Sequence, residues 1–226
     1  MIGELHQNSS QFAIACEEGG ANAVMLHINH DSNQGNRSGG IELEEDAIKQ
    51  CLSILKIPAG IMIGDSKILT TDDWEKCVKL GFSFVSMFAH DMPTFVWGDA
   101  RVSKLLSIGP GYILEQVKAL SELKDVSGIA TSLTPQQGLG LPMTVLDIVT
   151  FGIITRMSAK PVFYTTQRMM NGKDVTELRA NRCSGLLVTK VTYGETIDTC
   201  KSEVAKLKEL SRNNPPQNPQ SFTNSA

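Results

Sequence analysis

The sequence of 226 residues lacks an apolar run long enough to cross a bilayer. A transmembrane helix needs about 18 or more consecutive apolar residues, and the best candidate, "TVLDIVTFGIITRM", is interrupted by Asp147 and Arg156. The first residues also lack a basic stretch followed by an apolar core, which is the pattern of a secretory signal peptide. We therefore expect a cytoplasmic protein that does not enter a membrane.

The sequence also lacks a strong excess of either charge and any cysteine motif. Its formal net charge is −3, which provides no basic surface for nucleic acid or an anionic membrane, so we expect neither partner. The five cysteines are odd in number and have no CxxC spacing. Such cysteines are typical of reduced, half-buried thiols rather than of a zinc site or a disulfide framework.

What the sequence does contain is a regular alternation of short apolar and amphipathic segments. We predict eight strands, at residues 1–5, 22–28, 59–64, 82–88, 104–109, 127–133, 161–166 and 185–191. Helices are predicted between them, at residues 9–18, 43–55, 72–80, 112–123, 143–157, 174–182 and 196–211. The segment "MPTFVWGDAR" after strand four has room only for a short or irregular helix.

Eight strands that alternate with helices predict one α/β domain, a single (β/α)8 TIM barrel with parallel strands and an outer ring of helices. Parallel strands joined by right-handed helical crossovers close naturally when there are eight such units. An open doubly wound sheet is the alternative. The barrel is predicted to occupy residues 1–212, and the Pro-, Asn- and Ser-rich residues 213–226 are predicted to be a disordered tail because they cannot bury a core.

Polar residues cluster where a barrel enzyme would use them. Active sites of (β/α)8 barrels lie on the loops after the C-terminal ends of the strands. All four histidines lie at or just after a predicted strand end, and none precedes a strand. Glu4 lies inside the first strand, and the other polar residues at these ends are His6, His27, His30, Asp65, His90, Asp91, Gln167, Arg168 and Lys190.

The segment "LHINHD", residues 26–31, concentrates several of these candidates. Side chains alternate along a strand, so His27 and Asn29 share one face while Leu26 and Ile28 share the other. The aliphatic face belongs against the helices, which predicts that His27 and Asn29 point into the barrel mouth. A regular strand would point His27 and His30 to opposite sides, so a compact two-histidine metal clamp is not favoured. A hydrogen-bonded interior histidine is the alternative for His27.

A long polar loop, "HDSNQGNRSGG" at residues 30–40, follows this strand. It exceeds the usual length of about two to six residues for such a connection. The loop is therefore either a lid or substrate-binding segment, with Arg37 as an anion contact, or an ordinary surface loop.

The stretch "AKPVFYTTQRMMNGKDVTELRANRCSGLLVTKVTYGETID", residues 159–198, resembles the last two units of the phosphate-binding (β/α)8 barrels. That group includes sugar-phosphate epimerases, thiamine phosphate synthase and phosphoribosylanthranilate isomerase. The resemblance implies a phosphate held after strands seven and eight by backbone N–H groups and by a helix N-terminus. The corresponding positions here are Thr166, Gln167, Arg168, Thr189, Lys190 and Gly194.

This chain departs from the glycines that the group usually carries at those turns. Either Arg168 and Lys190 replace backbone donors with charged side chains, or the site accepts a carboxylate instead. A salt bridge from Arg168 to Asp91 or Glu4 is a further reading. Lys190 is either a Schiff-base lysine or a surface lysine, because the inward face of strand eight is ambiguous in the sequence.

Together these residues predict an isomerase, epimerase or lyase that acts on a small anionic metabolite, with a phosphorylated one favoured. Glu4 or Asp65 would act as the base, and His27 and His90 as acids or oxyanion donors. The residues predicted to bind the substrate are His6, Asn29, Thr166, Gln167, Arg168, Lys190 and Gly194.

Two other functions remain open at this stage. The first is a metal-dependent barrel enzyme; no cofactor is predicted, but a divalent metal is left open, with His27, Asp65, His90 or Asp91 as ligands. The second is a barrel that binds a small molecule without catalysis. In that case the segment "MPTFVW", residues 92–97, is a candidate contact of a homo-oligomer.

Overall fold

The structure is a computed structural model that describes residues 1–31 and 37–213. Its parallel strands close into one barrel in the order β1-β8-β7-β6-β5-β4-β3-β2. The strands are β1 Ile2–Glu4, β2 Ala23–Ile28, β3 Ala59–Ile63, β4 Phe84–Phe88, β5 Ser103–Ile108, β6 Val126–Thr131, β7 Val162–Thr165 and β8 Gly185–Val188. The predicted (β/α)8 barrel is confirmed.

The helices surround the barrel and follow the strands in the predicted order. They are α1 Ser10–Glu18, α2 Ile41–Ile54, α3 Thr71–Leu80, α4 Thr94–Trp97, α5 Leu114–Glu122, α6 Val145–Met157, α7 Gly172–Ala180, α8 Lys190–Tyr193 and α9 Ile197–Asn213. Within the described ranges, no helix is both long and apolar enough to span a membrane. The short helix predicted after strand four is α4, where Val96 is buried while Phe95 and Trp97 are partly exposed.

Local sequence signals explain where the helices begin and end. The Thr70 hydroxyl accepts a hydrogen bond from the backbone N–H of Asp73 (3.1 Å), and the Asp73 carboxylate accepts one from the backbone N–H of Thr70 (3.3 Å). This reciprocal capping satisfies N–H groups that have no partner inside the helix. Gly81 ends α3 with φ 86°, a left-handed conformation that glycine adopts without a steric penalty.

The two faces of each strand have different neighbours. In β2, Val24, Leu26 and Ile28 belong to the large apolar cluster that packs the barrel against its helices, as predicted. Ala23 and Met25 belong to a separate cluster inside the barrel. Both faces are therefore buried, as is usual for parallel sheets covered by helices.

Two predicted segments differ in the structure. Strand eight ends at Val188, not at residue 191, because Thr189 begins a turn and Lys190 is the first residue of α8. Lys190 therefore lies on neither face of the strand. The predicted loop 30–40 contains a small antiparallel pairing of His30–Asp31 with Arg37–Ser38. Residues 32–36 of that loop and residues 214–226 of the predicted tail lie outside the described residues.

The barrel closes where its first and last strands meet. Ile2 pairs with Leu187 and Gly3 with Val188. The Tyr193 hydroxyl donates a hydrogen bond to the backbone carbonyl of Glu4 (2.7 Å), which ties α8 to the end of β1. Outside the barrel α1 packs against α9, where the Sγ atoms of Cys16 and Cys200 lie 3.4 Å apart.

Candidate active site

The interior of the barrel changes from apolar to polar toward the C-terminal ends of its strands. On seven strands an apolar interior residue is followed, two positions later, by a polar one. The pairs are Ile2 and Glu4, Met25 and His27, Phe84 and Ser86, Leu105 and Ser107, Ala130 and Ser132, Phe163 and Thr165, and Leu187 and Thr189. Because alternate residues of a strand share a face, the polar members form a layer above the apolar core.

Above this core lies a deep cavity of about 140 Å³. Its polar lining includes Glu4, His30, Gln167 and the hydroxyl-bearing residues Ser107, Ser132, Thr165 and Thr189, while Met62 and Phe88 are among its apolar walls. The cavity is small and largely protein-walled, which suits a reaction that must exclude water.

Glu4 and His27 form the central pair of this layer. The Nε2 atom of His27 lies 3.5 Å from Oε1 of Glu4, and the Glu4 side chain is only 12% exposed. Neither ring nitrogen of His27 has a hydrogen-bond partner among the described residues, so the alternative of a hydrogen-bonded interior histidine is not met there. Burial, followed by the proximity of His30 and His6, holds the pKa of His27 well below its usual value, so its imidazole is neutral at pH 7.

His30, one of the polar residues predicted at the strand ends, received no catalytic or binding role from the sequence, yet the structure places it in the cavity. Asn29 leaves the strand with φ 51°, a left-handed conformation that asparagine tolerates better than most residues. This turn interrupts the alternation and brings the His30 ring beside that of His27, with ring centroids 4.8 Å apart. His30 lines the deep cavity, whereas Asn29 is buried and its Oδ1 atom has no described partner. Asparagine adopts the left-handed conformation more readily than most residues, so Asn29 was the sequence signal that the strand ends before His30.

A wider cleft of about 390 Å³ opens above the deep cavity and shares His30, Met62, Phe88, Ser132 and Gln167 with it. The charged or titratable residues of its described lining are Asp31, Asp65, Asp91, His30 and His90, and no Lys or Arg is among them. Asp31 is paired with Arg37 (3.1 Å), so Asp65 and Asp91 account for most of the acidic character of the cleft.

His90 lies at the edge of this cleft and is 62% exposed. Its Nδ1 atom is 2.6 Å from the Tyr112 hydroxyl, its Nε2 atom is 3.3 Å from Asp91, and its ring stacks on Phe88. These contacts orient the ring in the outer part of the mouth. The exposed Asp65 lines the same cleft.

Gln167 and Arg168 follow β7 but point to different places. Gln167 faces the mouth, where its Nε2 donates to the Ser132 hydroxyl (2.8 Å) and its Oε1 accepts from the backbone N–H of Thr134 (3.1 Å). Arg168 is buried between the barrel and α6. It forms an ion pair with Asp147 (3.1 Å) and donates to the backbone carbonyl of Gly138 (2.8 Å). Its partner is therefore neither Asp91 nor Glu4.

Two predicted binding residues, Thr166 and Thr189, link the ends of β7 and β8 by hydrogen bonds. The backbone N–H of Thr189 donates to the Thr166 hydroxyl (3.0 Å), and the Thr189 hydroxyl donates to the Thr166 carbonyl (2.8 Å). Thr166 is fully buried by these contacts. It supports the wall of the mouth, and Thr189 is the member of the pair that lines the deep cavity.

The remaining candidates lie at the rim where β8 meets β1. The Nζ atom of Lys190 is 3.0 Å from the Glu195 carboxylate. Burial and then the charge of Lys190 lower the pKa of His6, whose buried Nδ1 atom has no partner among the described residues. Gly194, with φ 78°, makes the turn between α8 and α9.

The acidic and histidine side chains do not converge as a metal centre. In the part of the chain that the structure describes, no group of three or more His, Cys, Asp and Glu residues is arranged to hold a metal ion. The metal-dependent alternative therefore gains no ligand set from the described residues.

Comparisons with known proteins identify the class of fold. No protein-family model matches the sequence, and no curated protein matches it significantly. The chain is similar in structure to tryptophan synthase from Mycobacterium tuberculosis, with a TM-score of 0.72 and 15% identity over 93% of this chain and 91% of that chain. It is also similar to a variant of the tryptophan synthase alpha-subunit from Pyrococcus furiosus, with a TM-score of 0.73 and 16% identity over 92% and 97% of the two chains.

A third similar structure comes from Aquifex aeolicus VF5, with a TM-score of 0.67 and 12% identity over 93% and 92% of the two chains. Likeness at such low identity establishes the (β/α)8 fold and carries no information about chemistry. The first two of these structures are tryptophan synthases, and none of the three is described as a member of the families that residues 159–198 resemble.

Proposed function

We propose that the chain is an enzyme that transfers a proton on a small metabolite bound in the barrel mouth, as isomerases, epimerases and lyases do. The observation that carries this proposal is the position of Glu4, a carboxylate that lines the deep cavity and is only 12% exposed. A carboxylate at such a place can take a proton from a carbon next to a carbonyl group without competition from bulk water.

The histidines have separate tasks in this proposal. His27 lies behind Glu4, and its neutral ring positions the carboxylate without neutralising it. His30 lines the deep cavity, and burial lowers the pKa of its ring. A neutral imidazole N–H is a suitable donor to the carbonyl oxygen on which negative charge develops. His90, in the outer cleft, would contact the part of the substrate that does not react, while the exposed Asp65 lies at the entrance.

We place the anionic group of the substrate at the rim between β8 and β1. The outer cleft is less suitable because Asp65 and Asp91 would repel an anion. At the rim, the Nζ atom of Lys190, a side chain that is 18% exposed, pairs with Glu195, which is 78% exposed. Because Glu195 itself lies largely in solvent, a substrate anion can take its place beside Lys190.

A phosphate group is the favoured anion at this rim. In (β/α)8 barrels, phosphate is often bound by the loops after strands seven and eight and by a short additional helix. In this chain α8 is a short helix that directly follows β8. The buried, unpartnered Nδ1 atom of His6 would then have an oxygen to contact.

Hydrogen exchange into candidate substrates tests the proton transfer directly. Purified protein in D2O would be incubated with small 2-oxo acids, triose phosphates and pentose phosphates, and deuterium next to the carbonyl would be followed by NMR. Glu4→Gln should reduce the exchange rate at least about a hundredfold, the usual contribution of a general base, while ligand binding persists. His90→Gln, at the exposed edge, serves as the milder control.

Different outcomes separate the alternatives. Exchange that continues at the wild-type rate in the Glu4→Gln protein would contradict the role of Glu4. Binding without exchange by any compound would favour a barrel that binds without catalysis. Exchange that a chelator abolishes and a divalent metal restores would favour the metal-dependent alternative.

A further inference from the structure

A second cavity lies at the opposite end of the barrel, where β8 begins. It has a volume of about 310 Å³ and lies between the C-terminal parts of α7 and α9. Arg179, Lys208 and Arg212 line it, and its apolar lining includes Val175, Leu178 and Leu186. The cavity lies at the end of the barrel opposite Glu4 and the mouth, and the proposed function makes no use of it.

Within residues 1–31 and 37–213, no ion pair joins Arg179, Lys208 or Arg212 to a carboxylate. None of the lining residues is Asp or Glu. Residues 32–36 and 214–226, which the structure does not describe, also contain neither residue type, so their side chains add no negative charge. This arrangement is unusual for a chain whose formal net charge is −3.

The hydrogen bonds of these cations go to neutral oxygen atoms. Arg179 donates to the backbone carbonyls of Cys183 (3.0 Å) and Ser211 (3.3 Å). The Nζ atom of Lys208 donates to Oδ1 of Asn22 (2.6 Å), and the nitrogen of Met1 donates to the same oxygen (3.0 Å). The cavity thus concentrates donors without an acceptor that carries charge.

Other lysines of the same helix are paired. Lys201 contacts Glu18 (2.7 Å) and Lys206 contacts Glu203 (2.9 Å). By contrast, burial and the charges of Arg212 and Arg179 lower the pKa of Lys208. The cations at the cavity therefore repel one another, and an anion between them would relieve that repulsion.

We propose that this cavity binds the phosphate group of a small phosphate monoester. Lys208 and Arg212, with Arg179 beside them, would surround the phosphate oxygens, because ammonium and guanidinium groups form strong charge-assisted hydrogen bonds with phosphate. The organic part of the ester would lie on Val175, Leu178 and Leu186. The site is a binding site, and no bond is made or broken there.

Thermal unfolding of the full chain tests the proposal with phenyl phosphate and inorganic phosphate as probes. Sodium chloride at the same ionic strength is the reference, because general screening also relieves repulsion. We expect both phosphates to raise the melting temperature above the chloride value, since a ligand that binds only the folded state stabilises it. Phenyl phosphate should bind more tightly, and equal affinities would overturn the role of the apolar residues.

The double variant Lys208→Gln, Arg212→Gln removes two cations while leaving the structural hydrogen bonds of Arg179 intact. Without ligand it should melt at a temperature equal to or above that of the wild type, because repulsion is reduced. Calorimetry should give about a tenfold loss of phosphate affinity for each cation removed. Lys118→Gln on α5, an exposed lysine outside both cavities, is the matched control and should keep the full effect.

Two results would overturn the site. One is a wild-type protein that phosphates stabilise no more than chloride does. Because the proposed function also places a phosphate at the mouth, the double variant is expected to lose only part of the phosphate-dependent rise; the second overturning result is a double variant whose rise equals that of the wild type. The proposed function is tested separately, because the Glu4→Gln protein should retain the response at this cavity.

Discussion

The two ends of the barrel have opposite electrostatic character. The described lining of the mouth contains Glu4 and three aspartates with no Lys or Arg, whereas the cavity at the opposite end contains three cations with no carboxylate. Helices in this fold run opposite to the strands, so their C-terminal ends lie at the end opposite the mouth. Arg179 and Arg212 lie in the last turns of α7 and α9, where the helix dipole favours positive charge.

The connectivity of a (β/α)8 barrel can therefore separate charge along the barrel axis. Residues that follow strands collect at the mouth, and residues that end helices collect at the other end. A formal net charge of −3 conceals both regions.

Arg168 follows a strand, β7, but unlike the polar residues of the mouth it points toward α6. Replacing it with alanine should lower the free energy of unfolding by about 2 kcal/mol, because the half-buried Asp147 would lose its charged partner and keep only the hydrogen bonds from Thr144, and the backbone carbonyl of Gly138 would lose its donor. Urea unfolding measures this, with Lys118→Ala as a surface control expected to stay within about 0.5 kcal/mol. Unchanged stability combined with lost ligand binding in the mouth would instead make Arg168 a mouth residue.

The lowered pKa of the buried His27 predicts how the free energy of unfolding changes with pH. Its pKa in the folded state lies below the ordinary value of 6.5, so the unfolded chain binds the proton first as the pH falls. Stability is therefore constant above about pH 6.5 and decreases below it, by up to about 1.4 kcal/mol per pH unit for this residue. His27→Gln should reduce that slope, and His90→Gln, which changes an exposed ring, should not. Equal slopes in all three proteins would contradict the assignment.

The smallest effect is expected from the acidic cleft itself. Asp65→Asn removes one negative charge from the entrance, so KM for an anionic substrate identified by hydrogen exchange should fall about twofold at low salt. The difference should vanish at about 1 M salt, where the Debye length is about 3 Å. A KM that rises at both salt concentrations would mean that Asp65 contacts the substrate directly.

The alternation of apolar strands and amphipathic helices was sufficient to predict the barrel. Each predicted strand is present, including β5 and β6, whose sequences are the least apolar. The prediction that the aliphatic face of β2 packs against the helices is confirmed as well. Periodicity determines these features because burial on both faces of a parallel strand leaves few other arrangements.

The site was less predictable because it depends on where regular structure stops. The left-handed turn at Asn29 reorients His30, and the early end of β8 places Lys190 in a helix. Arg168 finds Asp147 on a neighbouring helix, a pairing that spacing along the chain does not indicate. The cationic cavity depends on α7 and α9 packing side by side, which the sequence pattern alone does not specify.

The pairing of β1 with β8 determines how late the barrel closes during folding. It joins Ile2 to Leu187 and Gly3 to Val188, residues separated by most of the chain, and contacts of such long range form slowly during folding. Glu4 follows these paired residues in β1 and is held through its backbone by Tyr193. The proposed base is therefore set in place only when the barrel closes, so recovery of the proposed hydrogen exchange into the substrate should lag behind the recovery of helical structure during refolding.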